Sequence, residues 1–173
     1  MELLDIILKR RSVRKYTTEP VSEDKLEKIL QAGLLAPTSQ NRKPCEFYVI
    51  RDKAVLKELS KAKKMGAGML SECNVAIVVS GDSNKADTWV EDCSIAMSYM
   101  NLMAVEQGVG CCWCQMHLRS SVHGKDAEMN VREILSVPGN YRIVGILALG
   151  MPEKEIKSHR LDEVDFSKVH RQF

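Results

Sequence analysis

The chain has 173 residues, 45% hydrophobic and 28% charged, with 25 Lys and Arg against 23 Asp and Glu for a formal charge of +2. A single domain of this length buries about 70% of its unfolded surface, while the near-neutral balance and 5% aromatic content argue against an extended polyanion-binding face or a stacking platform for single-stranded nucleic acid. No apolar run approaches the roughly 20 residues of a membrane helix, and Asp5 interrupts the only apolar stretch near the start, so neither a membrane span nor an export signal is expected.

In chain order, Leu3, Leu4, Ile7 and Leu8 form the apolar stripe of a first helix from about Glu2 to Arg10. Thr17 to Val21 reads as an extended connector holding Pro20. Ser22 then stands as N-cap of a second helix, with Glu23 and Asp24 in the first turn and Leu26, Ile29, Leu30 and Gly33 at helical spacing. Ala36-Pro37 ends it, because proline disfavours the helical conformation of the residue before it. The loop Thr38–Pro44 leads into a strand, Glu46–Ile50, by its aromatic and β-branched content. Asp52 caps a third helix carrying Val55, Leu56 and Leu59. The near-continuous apolar run Asn74–Ser80 predicts a strand covered on both faces.

The longest helix is expected from about Thr88 to Gln107, with Gly108 as the residue beyond its C-cap. Trp89, Cys93, Ala96, Met97, Met100 and Ala104 line one face, and Ile95, Leu102 and Val105 another. A helix apolar nearly all round is a buried one, and in a domain this small a subunit interface is where it would be buried. Val109–Met116 and Arg142–Leu149 read as two more strands, with a short helix, Val131–Leu135, ended by Val137-Pro138-Gly139. A polar tail runs from Lys157 to Phe173. With no repeat or linker in view, residues 1–173 form one α+β domain: helices flanking a small central mixed or antiparallel sheet.

Lys9-Arg10-Arg11-Ser12-Val13-Arg14-Lys15 places five cations in seven residues. Guanidinium forks bond phosphate oxygens bidentately and a hydroxyl fills a remaining site, so the cluster suits a small phosphate dianion. The alternative is a solvated basic face that complements the C-terminal end of the helix dipole. There is no GxGxxG turn, GK[ST] loop, HExxH or GxSxG motif, so a bound phosphate would have to be held by side chains. Six cysteines, Cys45, Cys73, Cys93, Cys111, Cys112 and Cys114, lie mostly in apolar sequence and read as reduced thiols of a cytoplasmic protein. Cys111 and Cys114 make a C-x-x-C, but no second one exists, and strand alternation would put Cys112 and Cys114 on one face and Cys111 on the other. Buried packing is therefore the better reading than a metal or redox site. His117, His123, His159 and His170 show no ligand spacing and receive no role.

The opening stretch "LKRRSVRKYTTEPVSEDKLEKILQAGLLAPTSQNRKPCEFYVI" resembles the nitroreductase-like, FMN-dependent oxidoreductases, whose pattern is R-R-S-x-R-x-[FY], a helix ending A-P-S-x-x-N-x-Q-P-W, then a strand. The resemblance continues, in order, through Trp89–Asp92, Glu106–Gly110, Cys112-Trp113, Val131–Leu135, Ala148–Pro152 and Arg160. It implies a nitroreductase-like fold in which Arg10, Arg11, Ser12 and Arg14 hold the phosphate and ribityl chain of FMN, with Arg160 closing on the phosphate. Asn41 matches the residue that bonds the flavin edge, and Pro37, Thr38 and Ser39 the loop that packs on the flavin from a second copy of the chain. Cys112, Trp113 and Cys114 resemble the strand whose backbone approaches the flavin, and the resemblance places Gly150, in the closing motif, among the cofactor-binding residues. The chain departs from the pattern at Lys43, where the family has Gln and where a lysine, which offers donors only, would either stabilise negative charge at the flavin N1/O2 edge or face solvent, at Cys45, where it has Trp, and at Ser158-His159, where a Lys often precedes the final Arg. The Glu-Gly pair that longer members place near flavin N5 has no counterpart. The implied activity is hydride transfer from NAD(P)H through FMN to a nitro compound, quinone or similar acceptor, by a homodimer with two FMN sites and with no side chain assigned as acid or base. A non-catalytic flavin carrier or sensor of the same fold is the competing reading.

Overall fold

The computed structural model describes residues 2–172. Its elements follow the expected order: α1 (Leu3–Lys9), α2 (Glu23–Leu34), β1 (Cys45–Ile50), α3 (Lys53–Leu59), β2 (Val75–Asp82), α4 (Trp89–Glu106), β3 (Gly110–Gln115), α5 (Ala127–Leu135) and β4 (Tyr141–Gly150). Short 3-10 turns at Ser39–Asn41, Gly68–Ser71, Leu161–Glu163 and Phe166–Lys168 complete it. Asp52 caps α3 by accepting from the backbone N–H groups of Ala54 and Val55, whereas the Ser22 side chain makes no capping bond to α2. Helix α5 begins four residues before the predicted Val131, because Asp126 caps it by accepting from the Glu128 N–H.

The four strands pair antiparallel in the order β1-β2-β4-β3. Central strands need both faces covered, and β2 and β4 carry the apolar runs to match. On one face α2 and α4 close a core with Ile29, Ile77, Val79, Met97, Met100 and Leu147. On the other, α3 and α5 close a core with Leu56, Leu59, Val78, Val131 and Ile146. Gly33 lets α2 and α4 approach, since a Cβ there would stand 2.8 Å from the Met100 side chain. Gly108, at φ +68°, closes the end of α4 as expected.

Only one side of α4 is buried by its own chain. Met97 and Met100 are fully buried in the sheet-side core, while Ile95 is 37% and Tyr99 44% exposed on the outer side. Leu3, Leu4 and Ile7 of α1 and Leu34 and Leu35 at the end of α2 are exposed as well. The helix layer thus presents a broad apolar surface that its own chain leaves uncovered.

Candidate functional site

The segment after α1 lies against the start of β3. Ser12 forms a parallel bridge with Cys111, and the Val13 N–H donates to the Cys111 carbonyl at 3.0 Å. The Tyr16 hydroxyl donates to the Val13 carbonyl at 2.6 Å, and burial pushes its pKa well above the ordinary value, so it stays protonated. The approach is close enough to require Gly150, where a Cβ would lie 2.7 Å from the Tyr16 ring and the Asn74 Oδ1. Gly150 therefore lets this segment pass against the end of β4.

Arg10 and Ser12 are half-buried on this segment and Arg14 is exposed. Among the described residues no carboxylate pairs with Arg10, Arg11 or Arg14. Arg11 donates to the Lys157 carbonyl at 2.7 Å, and Arg14 reaches the Ser12 carbonyl at 3.5 Å. The tail returns to the same place, with the His159 N–H donating to the Leu8 carbonyl at 2.8 Å. Arg160 arrives with it, but its guanidinium is paired with Asp162 and remains 63% exposed. Guanidiniums without an anionic partner, beside a hydroxyl on a backbone pinned to a sheet, fit a phosphate dianion.

Strand β3 is an edge strand, and alternation turns the backbone of Cys111, Trp113 and Gln115 outward. Cys111 is taken by Val13, and the Gln115 carbonyl accepts from Lys63 Nζ at 3.0 Å. The backbone of Trp113 lies on the edge between them, and its indole N–H donates to Gln115 Oε1 at 2.9 Å. Lys63 adds a cation at this edge that sequence reasoning missed; the signal was the run Lys61-Ala62-Lys63-Lys64 just past α3. As alternation predicted, Cys112 and Cys114 point into one core and Cys111 into the other. Burial raises the pKa of all three thiols, so they are neutral packing groups, and what this strand offers a cofactor is backbone. Among the described residues no group of three or more His, Cys, Asp or Glu could hold a metal ion.

The second half of the expected site is the loop Pro37–Pro44. Gln40, Asn41 and Lys43 all take positive φ, at 51°, 54° and 48°, a conformation that costs energy outside glycine and persists where surrounding bonds enforce it. Those bonds are identifiable. The Ser39 N–H donates to Asp92 Oδ1 at 2.8 Å, the Lys43 N–H to Thr38 Oγ1 at 3.0 Å, and Lys85 Nζ to the Lys43 carbonyl at 3.0 Å. Asp92, 2% exposed at the start of α4, also accepts from the Thr88 hydroxyl. The result holds Asn41 and Lys43 exposed at the surface. Asp92→Ala should release the loop, and tryptic cleavage after Arg42 should then run about tenfold faster than in the parent protein; an unchanged cleavage rate would remove Asp92 from this role.

Within one chain the two halves are far apart. The loop joins β1 at Cys45, which pairs with Gly81. The arginine segment joins β3 at Cys111, opposite Leu149, which pairs in turn with Val75. Three strand spacings and six residues along the strand put them roughly 25 Å apart, on opposite edges and at opposite ends of the sheet. The cleft beside the arginines has a volume of about 190 Å³ and the one beneath the loop about 80 Å³, both below the roughly 300 Å³ at which ligand pockets begin.

A separate cluster gives His117 a structural role where the sequence gave none. Glu128, 1% exposed, binds Arg142 through both carboxylate oxygens, accepts the Ile143 N–H at 3.2 Å and lies 3.2 Å from His117 Nδ1. Arg142 and His117 both pack on the Trp89 ring. The cluster ties α5 to β4 and to the start of α4.

The Nitroreductase family model matches residues 7–151. The chain belongs to the Nitroreductase family. It is 40% identical to the FMN-dependent nitroreductase of Clostridium difficile R20291, with a TM-score of 0.95 over 98% of this chain and 99% of that one. A Desulfovibrio desulfuricans protein solved in complex with FMN is 26% identical, with a TM-score of 0.78 over 100% and 98%. The NADH dehydrogenase of Thermus thermophilus is 30% identical, covering 89% of each chain.

Proposed function

We propose that this member of the family is an NAD(P)H-dependent FMN oxidoreductase that acts as a homodimer. When bound, FMN would supply the hydride chemistry that links NAD(P)H to a nitro compound, quinone or similar electron-poor acceptor. The observation that carries the reading is the unpaired cluster of Arg10, Arg11 and Arg14 around Ser12, on a segment pinned to the β3 edge. These side chains would hold the phosphate and ribityl chain. The Trp113 backbone and Lys63 would meet the ring system, and positive charge there would favour a reduced, anionic ring. Family membership and the FMN named for two similar proteins support the cofactor; the Thermus relative supports a nicotinamide donor.

The dimer follows from the separation of the two half-sites. Asn41, Lys43 and the residues Pro37–Ser39 can cover a flavin bound by the arginines only if a second copy brings them there. The exposed apolar faces of α1 and α4 supply the surface for that contact. Tyr99→Glu should convert the dimer to monomer in sedimentation at micromolar concentration and release FMN together with it. A flavin-loaded monomer would refute the shared site.

One recognisable cofactor site serves both half-reactions, so the kinetics should be ping-pong. Initial rates at several fixed acceptor concentrations should give parallel double-reciprocal lines; intersecting lines would mean that donor and acceptor occupy separate sites. Failure of both NADH and NADPH to bleach the bound flavin would favour the carrier reading.

A further inference from the structure

Cys45 and Cys93 lie with their sulfur atoms 3.3 Å apart. Both are free thiols. The pair sits at the root of the Pro37–Pro44 loop: Cys45 is the first residue of β1, and Cys93 follows Asp92, which holds the Ser39 N–H. Cys93 is fully buried in the first turns of α4, with its sulfur 3.3 Å from the Ser80 carbonyl oxygen, and fits there because Gly81 has no side chain; a Cβ would lie 2.8 Å from its sulfur. Cys45 is only half-buried and lines the cleft of about 80 Å³ beneath the loop, with Ala36, Thr38 and Lys43.

We infer that Cys45 and Cys93 form a peroxide-sensitive dithiol whose oxidation to a disulfide draws the Pro37–Pro44 loop onto α4. The chemistry divides unequally between the two sulfurs. The hydrogen bond from Cys93 lowers the Cys45 pKa, while the same bond and burial raise that of Cys93. Cys45 is therefore the attacking thiolate and Cys93 the resolving thiol. The Cys45 sulfur attacks a hydroperoxide; an S–O bond forms, the O–O bond breaks, and the alcohol or water departs with a proton. Cys45 is then a sulfenic acid. The Cys93 sulfur attacks it, the S–S bond forms, the S–O bond breaks, and hydroxide leaves with the Cys93 proton as water. Two thiols lose two electrons and two protons, and the hydroperoxide is reduced to an alcohol (or water) and water.

Bonding brings the sulfurs to about 2.05 Å, so they must close by about 1.2 Å. Cys93 is fixed between Ser80, Gly81 and the core, whereas Cys45 borders the cleft and continues into the exposed loop. The movement falls on Cys45, and Pro44 and Lys43 follow it inward. The cleft narrows, and the strained residues Gln40, Asn41 and Lys43 lose freedom. The effect on turnover rests on the flavin reading above, in which this loop covers the cofactor of a second copy.

The test is to treat purified holoprotein with hydrogen peroxide, alkylate it, unfold it and map its peptides by mass spectrometry. A Cys45–Cys93 linked peptide should dominate and should disappear with dithiothreitol, while Cys73, Cys111, Cys112 and Cys114 remain thiols. In Cys93→Ser, which keeps a donor toward Ser80, no link should form and Cys45 should be trapped by dimedone as the sulfenic acid. Amide exchange at Ser39 and Lys43 should slow by about threefold or more in the disulfide form, and NAD(P)H oxidation should fall by about fivefold or more and return on reduction. Recovery of both cysteines as free thiols after peroxide treatment overturns the proposal, as does a linked form with unchanged loop exchange. If neither redox form oxidises NAD(P)H, the flavin reading fails, while the linked peptide and loop exchange still decide the dithiol.

Discussion

Arg10→Ala is expected to weaken FMN binding by about 2–3 kcal/mol, roughly 30- to 150-fold in Kd. Arg10 is half-buried and pairs with no carboxylate among the described residues, so the bound dianion would be its partner and the loss would not be offset by an internal ion pair. A charge-assisted bond to a partly desolvated phosphate is stronger than a neutral one, which sets the magnitude. The same argument makes riboflavin, lacking the phosphate, a much weaker ligand than FMN in the parent protein. It also makes the difference between the two ligands shrink in Arg10→Ala. Arg160→Ala should cost less, because its guanidinium is already engaged by Asp162 and largely in solvent. Fluorescence titration of apoprotein with both ligands measures all of these. Equal affinity for FMN and riboflavin in the parent protein would dismiss the phosphate assignment.

Glu128→Gln should cost about 3 kcal/mol of stability, near the lower end for breaking a buried ion pair because the Arg142 side chain is 38% exposed. For a domain of this size that corresponds to a melting temperature lower by roughly 6–12 °C. The substitution leaves Arg142 without its anion and weakens the tie between α5, β4 and the Trp89 end of α4. The pH dependence gives a second reading of the same group. Burial alone would raise the Glu128 pKa, but the bonds from Arg142 and His117 outweigh it and hold the carboxyl below its ordinary value. A depressed folded pKa means the ion pair's contribution is complete above the unfolded value of about 4.3 and is lost as pH falls through the folded one. The parent protein should therefore lose stability steeply on acidification below that value, and Glu128→Gln should lose less over the same interval. Thermal melts from pH 7 to pH 3 measure the difference; parallel curves for the two proteins would show that Glu128 titrates alike in the folded and unfolded states.

Much of this was legible in the residues themselves. Apolar spacing set the nine principal elements in order, because a helix or strand must bury a face at its own period and those periods are local. The β2 run, free of any charge from Val75 to Gly81, announced a central strand. Strand alternation placed Cys112 and Cys114 apart from Cys111, as observed. The arginine cluster and the Pro37–Pro44 loop were readable because chemistry and chain breaks are concentrated there.

Other features depend on residues distant in sequence, and only the packed chain could decide them. In the sequence Asp92 stood only as part of the Trp89–Asp92 stretch; in the fold it anchors Ser39, fifty-three residues earlier. His117 and Glu128 had no motif between them, yet β4 brings Arg142 to complete the pair. The apolar circumference of α4 was plain from its sequence, but which half met its own sheet was not. The fold buries Met97 and Met100 and leaves Ile95 and Tyr99 outside, since a helix lying on a sheet can give it only one face. The distance between the arginines and the loop that should cover the flavin came from strand order and register, because sequence separation carries no record of which edge of a sheet a strand will take.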